Sequence, residues 1–172
     1  MLSRMVIAAI ALGSNLGKRQ AALRAAAARL SALPASRLMA LATFRQTEPV
    51  LAPAGSPTFL NSAVTLDTEL LPEDLLAHLL QVERDLGRTR DPDSRNAPRT
   101  IDLDLLLHGD AVLDSPTLTL PHPRMHERLF VLQPLAEIAP DLVHPTCRKT
   151  IRQLLAELLR AHPDLPVTIE TP

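Results

Sequence analysis

Hydrophobic and polar residues along the first two thirds of the chain follow the two periods of regular secondary structure. Short apolar or alternating stretches predict strands at 6–12, 36–44, 59–66 and 100–107. Apolar residues three and four apart predict helices at 18–33 and 70–86; Pro34 ends the first, and Pro72 lies in the first turn of the second. The proline-rich segment 46–57 predicts a loop, and the charged segment 88–98 predicts another.

The predicted elements occur in the order strand, helix, strand, strand, helix, strand. This order favours an α/β (α+β) fold, a ferredoxin-like βαββαβ sandwich, with extra C-terminal helices expected at 130–138 and 150–161. An extended segment is expected between them and the core, at 118–123. We therefore predict one domain over residues 1–172, with a core at roughly 5–145 and a helical extension at 148–172.

Composition narrows the class of protein. The formal net charge is −1 and Phe44, Phe59 and Phe130 are the only aromatic residues, which argues against a nucleic-acid or membrane-surface binder. The single cysteine, Cys147, excludes an internal disulfide and fits a reducing cytoplasm. No stretch approaches the ~20 apolar residues that cross a bilayer, and the apolar run near the N-terminus reads as a buried strand. We expect a cytoplasmic monomer that has no membrane or nucleic-acid partner.

Two carboxylates on one predicted strand are the most informative feature. Asp102 and Asp104 alternate with apolar residues, so both project from the same face, ~6.5–7 Å apart along the backbone. Two such charges repel unless a cation lies between them, and Mg²⁺ prefers carboxylate oxygens and shares its other positions with phosphate. Arg95 and Arg99, just upstream, are suited to phosphate oxygens. The pattern predicts a metal–phosphate site; the alternative is a solvated strand face that carries two acids.

Two further motifs give weaker signals. The segment 13–19 resembles a phosphate-binding loop, but it has three residues between its glycines instead of four, and arginine follows its lysine, so it reads as a strand-to-helix turn. His122 and His126 are spaced for zinc on a helix, but Pro123 disfavours a regular helix and no third soft ligand is near. A hydrogen bond from His122 or Arg128 to a phosphate oxygen is the better interpretation.

Six blocks of sequence occur in the order typical of one enzyme family. They are residues 11–17, 47–50, 59–61, 83–88, 95–106 and 121–130. On these blocks, which lie within residues 8–145, the chain resembles the 6-hydroxymethyl-7,8-dihydropterin pyrophosphokinase family of the folate pathway. The resemblance implies a ferredoxin-like fold and transfer of pyrophosphate from ATP to the pterin hydroxymethyl group, with release of AMP.

The resemblance also implies roles for individual residues. The ligands of two Mg²⁺ ions would be Asp102 and Asp104. The pterin would be held by Thr47, Glu48, Val50, Phe59, Asn61 and Phe130, with the two phenylalanines stacking on its faces and Asn61 bonding its edge. The ATP side would comprise Glu83, Arg88, Arg99, Leu105, Thr119, His122 and Arg128. The catalytic set would be Arg90, Arg95, Arg99, Asp102, Asp104 and His122, with Arg90 and Arg95 on a loop over the triphosphate.

Three other functions remain as alternatives. A ferredoxin-like RNA-binding module would need exposed aromatics and a basic sheet, and this chain is poor in both. A degenerate relative acting as a scaffold would not need the complete set of metal and pterin positions. A different kinase or nucleotidyl transferase would share the Asp102–Asp104 strand but not the combination of Phe59, Asn61 and Phe130.

Overall fold

A computed structural model describes residues 5–48, 55, 57–89 and 98–165, and within them an antiparallel sheet has helices on both faces. The strands of the main sheet are β1 (Val6–Ser14), β2 (Ser36–Leu41), β3 (Arg45–Thr47), β4 (Phe59–Thr68) and β5 (Asp102–His108). The helices are α1 (Arg19–Ser31), α2 (Pro72–Asp85), α3 (Leu129–Ile138) and α4 (Ile151–Ala161). A small hairpin of β6 (Leu113–Asp114) and β7 (Thr119–Leu120), followed by a 3₁₀ turn at Met125–Glu127, precedes α3.

The strand order confirms the predicted ferredoxin-like sandwich. The sheet runs β2-β4-β1-β5, and all of its pairs are antiparallel. One prediction was wrong in detail: the expected strand 36–44 ends at Leu41, and β3 extends from Arg45 into the first two residues of the expected loop 46–57. Pairing with β4 explains the difference, because the Ala42 amide bonds the Ala63 carbonyl at 2.9 Å and Thr47 pairs with Phe59. Tertiary pairing therefore outweighed the local turn signals.

The first face of the sheet is covered by α1 and α2. Ile10 and Leu12 of β1 are buried against helix residues such as Leu23, Leu30 and Leu79. In α1 the buried positions are three and four apart, as the sequence pattern predicted, and alanines at two of them keep the helix close to the sheet. Fully burying each leucine stabilises the fold by roughly 1.5–3 kcal/mol.

The opposite face is covered by α3 and α4, but only over part of its length. Ala9, Ala63 and Leu106 pack there with residues of both helices. Helix α4 begins with a capping box between Thr150 and Gln153. It and α3 are the predicted C-terminal helices, and both pack on this face of the sheet. Within the described ranges, no helix combines the length and the apolar character needed to cross a membrane.

Candidate active site

A row of four paired residues crosses the sheet on the face that carries α3. Asp102 of β5 pairs with Gly13 of β1, Gly13 with Asn61 of β4, and Asn61 with Arg45 of β3. Because paired strands are ~4.8 Å apart, Asp102 and Asn61 stand about 10 Å from each other across the sheet. We call the residues on this part of the face the site floor: Gly13, Phe59, Asn61, Asp102 and Asp104. Gly13, Asn61 and the two aspartates lie outside the apolar cluster under α3 and α4.

Asp102 is bound by two arginines. Its Oδ2 accepts a hydrogen bond from Arg99 Nη1 at 2.6 Å, and its Oδ1 accepts one from Arg88 Nη1. The same Arg88 atom bonds Glu83 Oε1 at 2.5 Å, and that oxygen also accepts the Leu103 amide at 2.8 Å. Although burial alone would lower the pKa of Arg88, attraction to Asp102 and Glu83 raises it. These contacts fix the arginines at one end of the site floor.

The end of α2 explains how Arg88 reaches this position. Gly87 has φ +84°, a left-handed conformation that glycine adopts without strain. Its amide bonds the Arg84 carbonyl at 3.0 Å, and the Arg88 amide bonds the Glu83 carbonyl at 3.0 Å. This helix ending reverses the chain and places Arg88 beside Glu83, whose side chain is only 1% exposed. Glu83 therefore positions Arg88 and β5, with almost no surface left for a ligand.

Asp104 has the opposite environment from Asp102. In the described part of the chain its carboxylate accepts no hydrogen bond, and the charges of Arg128 and Arg88 only partly offset the effects that raise its pKa. Burial, together with repulsion from Asp102, raises the pKa of Asp104 to about 6. The site floor thus holds one carboxylate that is well paired and one whose negative charge is poorly compensated.

His122 and Arg128 lie on the same side as the aspartates. The Nδ1 of His122 accepts the Arg124 amide at 3.2 Å, which leaves the ring proton on Nε2 in the neutral form. Burial and the nearby Arg128 lower the pKa of His122, so the ring is a neutral donor near pH 7. The Arg128 guanidinium lies 5.7 Å from the centre of the Phe130 ring and has no hydrogen-bond acceptor among the residues described. Both groups can therefore donate to an anionic ligand.

The other end of the site floor is neutral. Asn61, which is 5% exposed, donates through Nδ2 to the Thr47 hydroxyl at 2.7 Å. A Cβ on Gly13 would lie 3.2 Å from Asn61 Oδ1 and 4.0 Å from the Phe59 ring, so glycine leaves room for both side chains. Phe59 is partly exposed at the start of β4, and Phe130 at the start of α3 packs beside the second apolar cluster.

Glu137 of α3 holds the arginine at this neutral end. Its carboxylate accepts hydrogen bonds from the Thr43 amide at 2.9 Å, the Thr43 hydroxyl at 2.8 Å and Arg45 Nη2 at 2.8 Å. Burial alone would raise the pKa of Glu137, but these donors lower it. The charge of Arg45, which pairs with Asn61 in the sheet, is thereby compensated by α3.

The residues fit a magnesium ion through their donor chemistry. Asp102 and Asp104 offer carboxylate oxygens on one face, and the raised pKa of Asp104 shows negative charge that a cation would relieve. Within the described ranges, no group of three or more His, Cys, Asp or Glu side chains could hold a metal alone. A cation here would need other oxygen ligands, such as phosphate or water. The ring of His126 lies 6.1 Å from that of His144 in an edge-to-face arrangement.

The structure brings together most of the residues predicted for the site, with some exceptions. Leu105 is 4% exposed and lies in the apolar core on the other face of the sheet, so its contact with a nucleotide stays a prediction. Glu48 is exposed beside Thr47, and Thr119 lies in the small hairpin. Three predicted residues, Val50, Arg90 and Arg95, lie outside the described residues.

Sequence reasoning missed several residues that support the site. Asn15, Arg19 and Glu137 each tie one element to another through hydrogen bonds over more than 30 positions of sequence. The only sequence signal for Asn15 and Arg19 was the segment 13–19, interpreted as a simple turn. Nothing in the pattern around Glu137 indicated that its partners would be Thr43 and Arg45.

Fold and site together define a class: an α+β sandwich whose sheet carries an end rich in carboxylates and arginines beside an uncharged end with an amide and aromatic rings. The chain belongs to the 7,8-dihydro-6-hydroxymethylpterin-pyrophosphokinase family, whose model matches residues 9–140. The match begins within β1, continues past the end of α3 and contains every residue of the site floor.

Two bacterial relatives illustrate the likeness. A 2-amino-4-hydroxy-6-hydroxymethyldihydropteridine pyrophosphokinase of Pseudomonas aeruginosa is 46% identical over 154 residues, which cover 90% of this chain and 90% of that protein. One of the same name from Bacillus subtilis is 47% identical over 136 residues, covering 79% and 80%.

A solved structure shows the same fold at low identity. The crystal structure of wild-type HPPK-DHPS from Plasmodium falciparum with pteroate matches with a TM-score of 0.73 at 12% identity. The match covers 94% of this chain and 46% of that one, so this chain spans less than half of the parasite protein.

Proposed function

We propose that this protein transfers pyrophosphate from ATP to 6-hydroxymethyl-7,8-dihydropterin, which yields the pterin diphosphate and AMP in folate biosynthesis. The observation that carries the proposal is the row Asp102–Gly13–Asn61, which has a charged end and a neutral end on one face. In the reaction, the hydroxymethyl oxygen forms a bond to the β-phosphorus of ATP. The bridge between the α- and β-phosphates breaks, AMP leaves, and the hydroxyl proton is released.

The charged end is suited to the triphosphate. Arg88 and Arg99 lie against Asp102, and phosphate oxygens would offer their guanidinium groups further acceptors. Neutral His122 can donate its Nε2 proton to an oxygen on which charge develops. Arg128 adds a cation that forms no ion pair with a carboxylate in the described ranges. We assign Arg90 and Arg95 to the same phosphates, as the resemblance implies, and also keep the Thr119 and Leu105 assignments to the nucleotide.

Asp102 and Asp104 are proposed to hold two Mg²⁺ ions together with phosphate oxygens. Bound Mg²⁺ would screen the phosphate charge, align the reacting groups and lower the pKa of the attacking hydroxyl. Asp104, whose pKa is raised to about 6, gains most from a nearby cation because it has little other compensation. Positioning and charge stabilisation then supply most of the rate enhancement, as expected for phosphoryl transfer.

The neutral end is suited to the pterin. Asn61 presents an amide whose donor and acceptor can match the amide-like edge of the ring, and the Thr47 hydroxyl fixes its orientation. Phe59 and Phe130 supply aromatic faces for stacking, a contact worth about 0.5–1.5 kcal/mol beyond the area it buries. Glu48 and Val50 belong to the same pocket in this proposal. We further propose a single catalytic domain that works as a cytoplasmic monomer, without nucleic acid or membrane.

The decisive experiment measures AMP and pterin diphosphate made by the purified protein from ATP, Mg²⁺ and 6-hydroxymethyl-7,8-dihydropterin. We expect equal amounts of both products, and no AMP when the pterin is omitted. Release of ADP in place of AMP would indicate a different kinase. Absence of any turnover, with ATP and pterin both bound, would indicate a scaffold and contradict the proposal.

A further inference from the structure

Among the residues described, the turn between β1 and α1, residues 14–19, makes no hydrogen bond to either aspartate of the site floor. It does bond Arg99 and Thr58, which lead into the two ends of the site. From its position we infer that Asn15 positions the nucleotide side and Arg19 positions the pterin side. Both would act as positioning residues for the proposed function, on which this inference rests. In the proposed reaction, neither residue is assigned a contact with the reacting atoms.

Asn15 forms a reciprocal pair of hydrogen bonds with Arg99, which lies just before β5. The Arg99 amide donates to Asn15 Oδ1 at 2.6 Å, and the Asn15 amide donates to the Arg99 carbonyl at 3.1 Å. Asn15 is 6% exposed, so its amide is held by packing as well. Because the Arg99 guanidinium bonds Asp102 at 2.6 Å, the backbone that Asn15 fixes also sets an arginine and a carboxylate of the charged end.

Arg19 is fastened to the chain just before β4. Its Nη1 donates to the Thr58 carbonyl at 2.6 Å and to the Thr58 hydroxyl at 2.6 Å. Thr58 directly precedes Phe59, which is a stacking residue of the proposed pterin pocket. Arg19 also lines a hollow of about 410 Å³ on the other face of the sheet, next to Gln46 and Leu60. Packing therefore surrounds this side chain only in part, and its two hydrogen bonds fix its direction.

The backbone of the turn keeps the two residues at a fixed separation. Gly17 has φ +68°, and the Arg19 amide bonds the Gly17 carbonyl at 3.0 Å. The Ala22 amide then bonds the Lys18 carbonyl at 3.0 Å and begins the regular part of α1. The turn thus joins Asn15 and Arg19, whose hydrogen bonds lead to opposite ends of the site. A substitution at each residue should therefore change KM for a different substrate.

The test is a crossed comparison of Michaelis constants for the two substrates. Asn15→Leu keeps much of the side-chain volume and removes the acceptor, so we expect about a tenfold rise in KM for ATP and a lower kcat, with KM for the pterin within about twofold. Arg19→Ala should do the reverse and raise KM for the pterin by about five- to tenfold while KM for ATP stays within about twofold. A general loss of structure would move both constants together.

Conservative variants and a matched control complete the design. Asn15→Asp keeps an acceptor for the Arg99 amide, and Arg19→Lys keeps one donor for Thr58, so each should restore at least half of the lost effect on a logarithmic scale. Arg29→Ala removes an exposed arginine from α1, the helix that begins with Arg19. Its guanidinium forms an ion pair with Asp85 at 3.4 Å, and the substitution should change neither constant. If Asn15→Leu does not fold, Asn15→Ser replaces it, because a serine side chain is too short to reach the Arg99 amide.

A double-mutant cycle tests the link through Thr58. Thr58→Val removes one of the two acceptors of Arg19 and should raise KM for the pterin. Because that acceptor has no donor once Arg19 is replaced, Thr58→Val should have little effect on this KM in the Arg19→Ala background. The inference would be overturned if Asn15→Leu and Arg19→Ala each shifted both Michaelis constants equally, or if neither variant shifted either constant. It would also be overturned if Asn15→Leu raised KM only for the pterin and Arg19→Ala raised it only for ATP. A wild-type protein that releases no AMP would instead contradict the proposed function, so the two failures are distinguishable.

Discussion

The two ends of the row Asp102–Gly13–Asn61–Arg45 differ in how far their charges are compensated by neighbouring groups. At the Asp102 end, charges are concentrated on the site floor, and one carboxylate, Asp104, is left poorly compensated. At the Arg45 end, the single charge is bound by Glu137 of α3, and the floor presents an amide and an aromatic ring. One sheet thus presents a charged surface and a neutral one about 10 Å apart, because Glu137 of α3 neutralises the charge at only one of the two ends.

The largest effects are expected on turnover, from substitution of the two aspartates. Asp102→Ala and Asp104→Asn should each lower turnover by roughly a thousandfold or more, because a metal site contributes several kcal/mol to the transition state. Near-normal turnover of either variant at saturating Mg²⁺ would contradict the assignment. Asp110→Asn, which changes an exposed aspartate just after β5, is the control and should leave turnover unchanged.

Substitutions at the same two positions should change the free energy of unfolding of the protein in opposite directions. The raised pKa of Asp104 means that its ionised form is disfavoured in the folded protein, so its cost is absent below about pH 4 and complete above about pH 6. Without Mg²⁺ at pH 7.5, Asp104→Asn should therefore stabilise the protein by on the order of 1–3 kcal/mol. Asp102→Asn should destabilise it by a similar amount, because Arg88 and Arg99 lose their shared partner. Thermal unfolding between pH 4 and 8 measures both, and equal signs would contradict the comparison.

An intermediate effect is expected from the amide at the neutral end. Asn61→Ala should weaken pterin binding by about 10- to 100-fold, since a buried hydrogen-bonded group is lost, and should leave binding of an ATP analogue unchanged. Isothermal titration with each ligand separately provides the measurement. Gln46→Ala removes an exposed amide from the neighbouring strand and serves as the matched control. Weaker binding of both ligands by Asn61→Ala would show that the two ends are not independent.

A smaller effect is expected from Gly13, which lies between the two ends. An alanine here would bring Cβ to 3.2 Å from Asn61 Oδ1, so the amide must shift by a few tenths of an ångström. We expect Gly13→Ala to raise KM for the pterin by about three- to tenfold, which corresponds to about 1 kcal/mol, with KM for ATP nearly constant. A larger rise for ATP would mean that crowding reaches Asp102, the other partner of Gly13 in the sheet.

Local sequence rules predicted the fold and the charged end well. Alternation placed Asp102 and Asp104 on one face, and helical spacing identified α1 and α2, because both depend on residues close together in sequence. The contacts of Glu137 with Thr43 and Arg45 could not be predicted, since they join residues more than 90 positions apart. The same holds for the unequal environments of the two aspartates, which arise from the path of Arg88 after Gly87.

The smallest effect on ligand binding is expected from Glu137, which compensates the charge of Arg45 beside the neutral end. Glu137→Gln should destabilise the protein by about 1–2 kcal/mol near pH 7, because three donors lose a charged acceptor. The lowered pKa of Glu137 means that its contribution is present above about pH 4.3, the ordinary value, and is lost as the pH falls below it. The stability difference between variant and wild type should therefore close toward pH 3, measured by urea unfolding across this range. A difference that stays constant with pH would show that the carboxylate acts through packing alone. Pterin binding should weaken by no more than about threefold, since Arg45 remains and only its compensation is reduced.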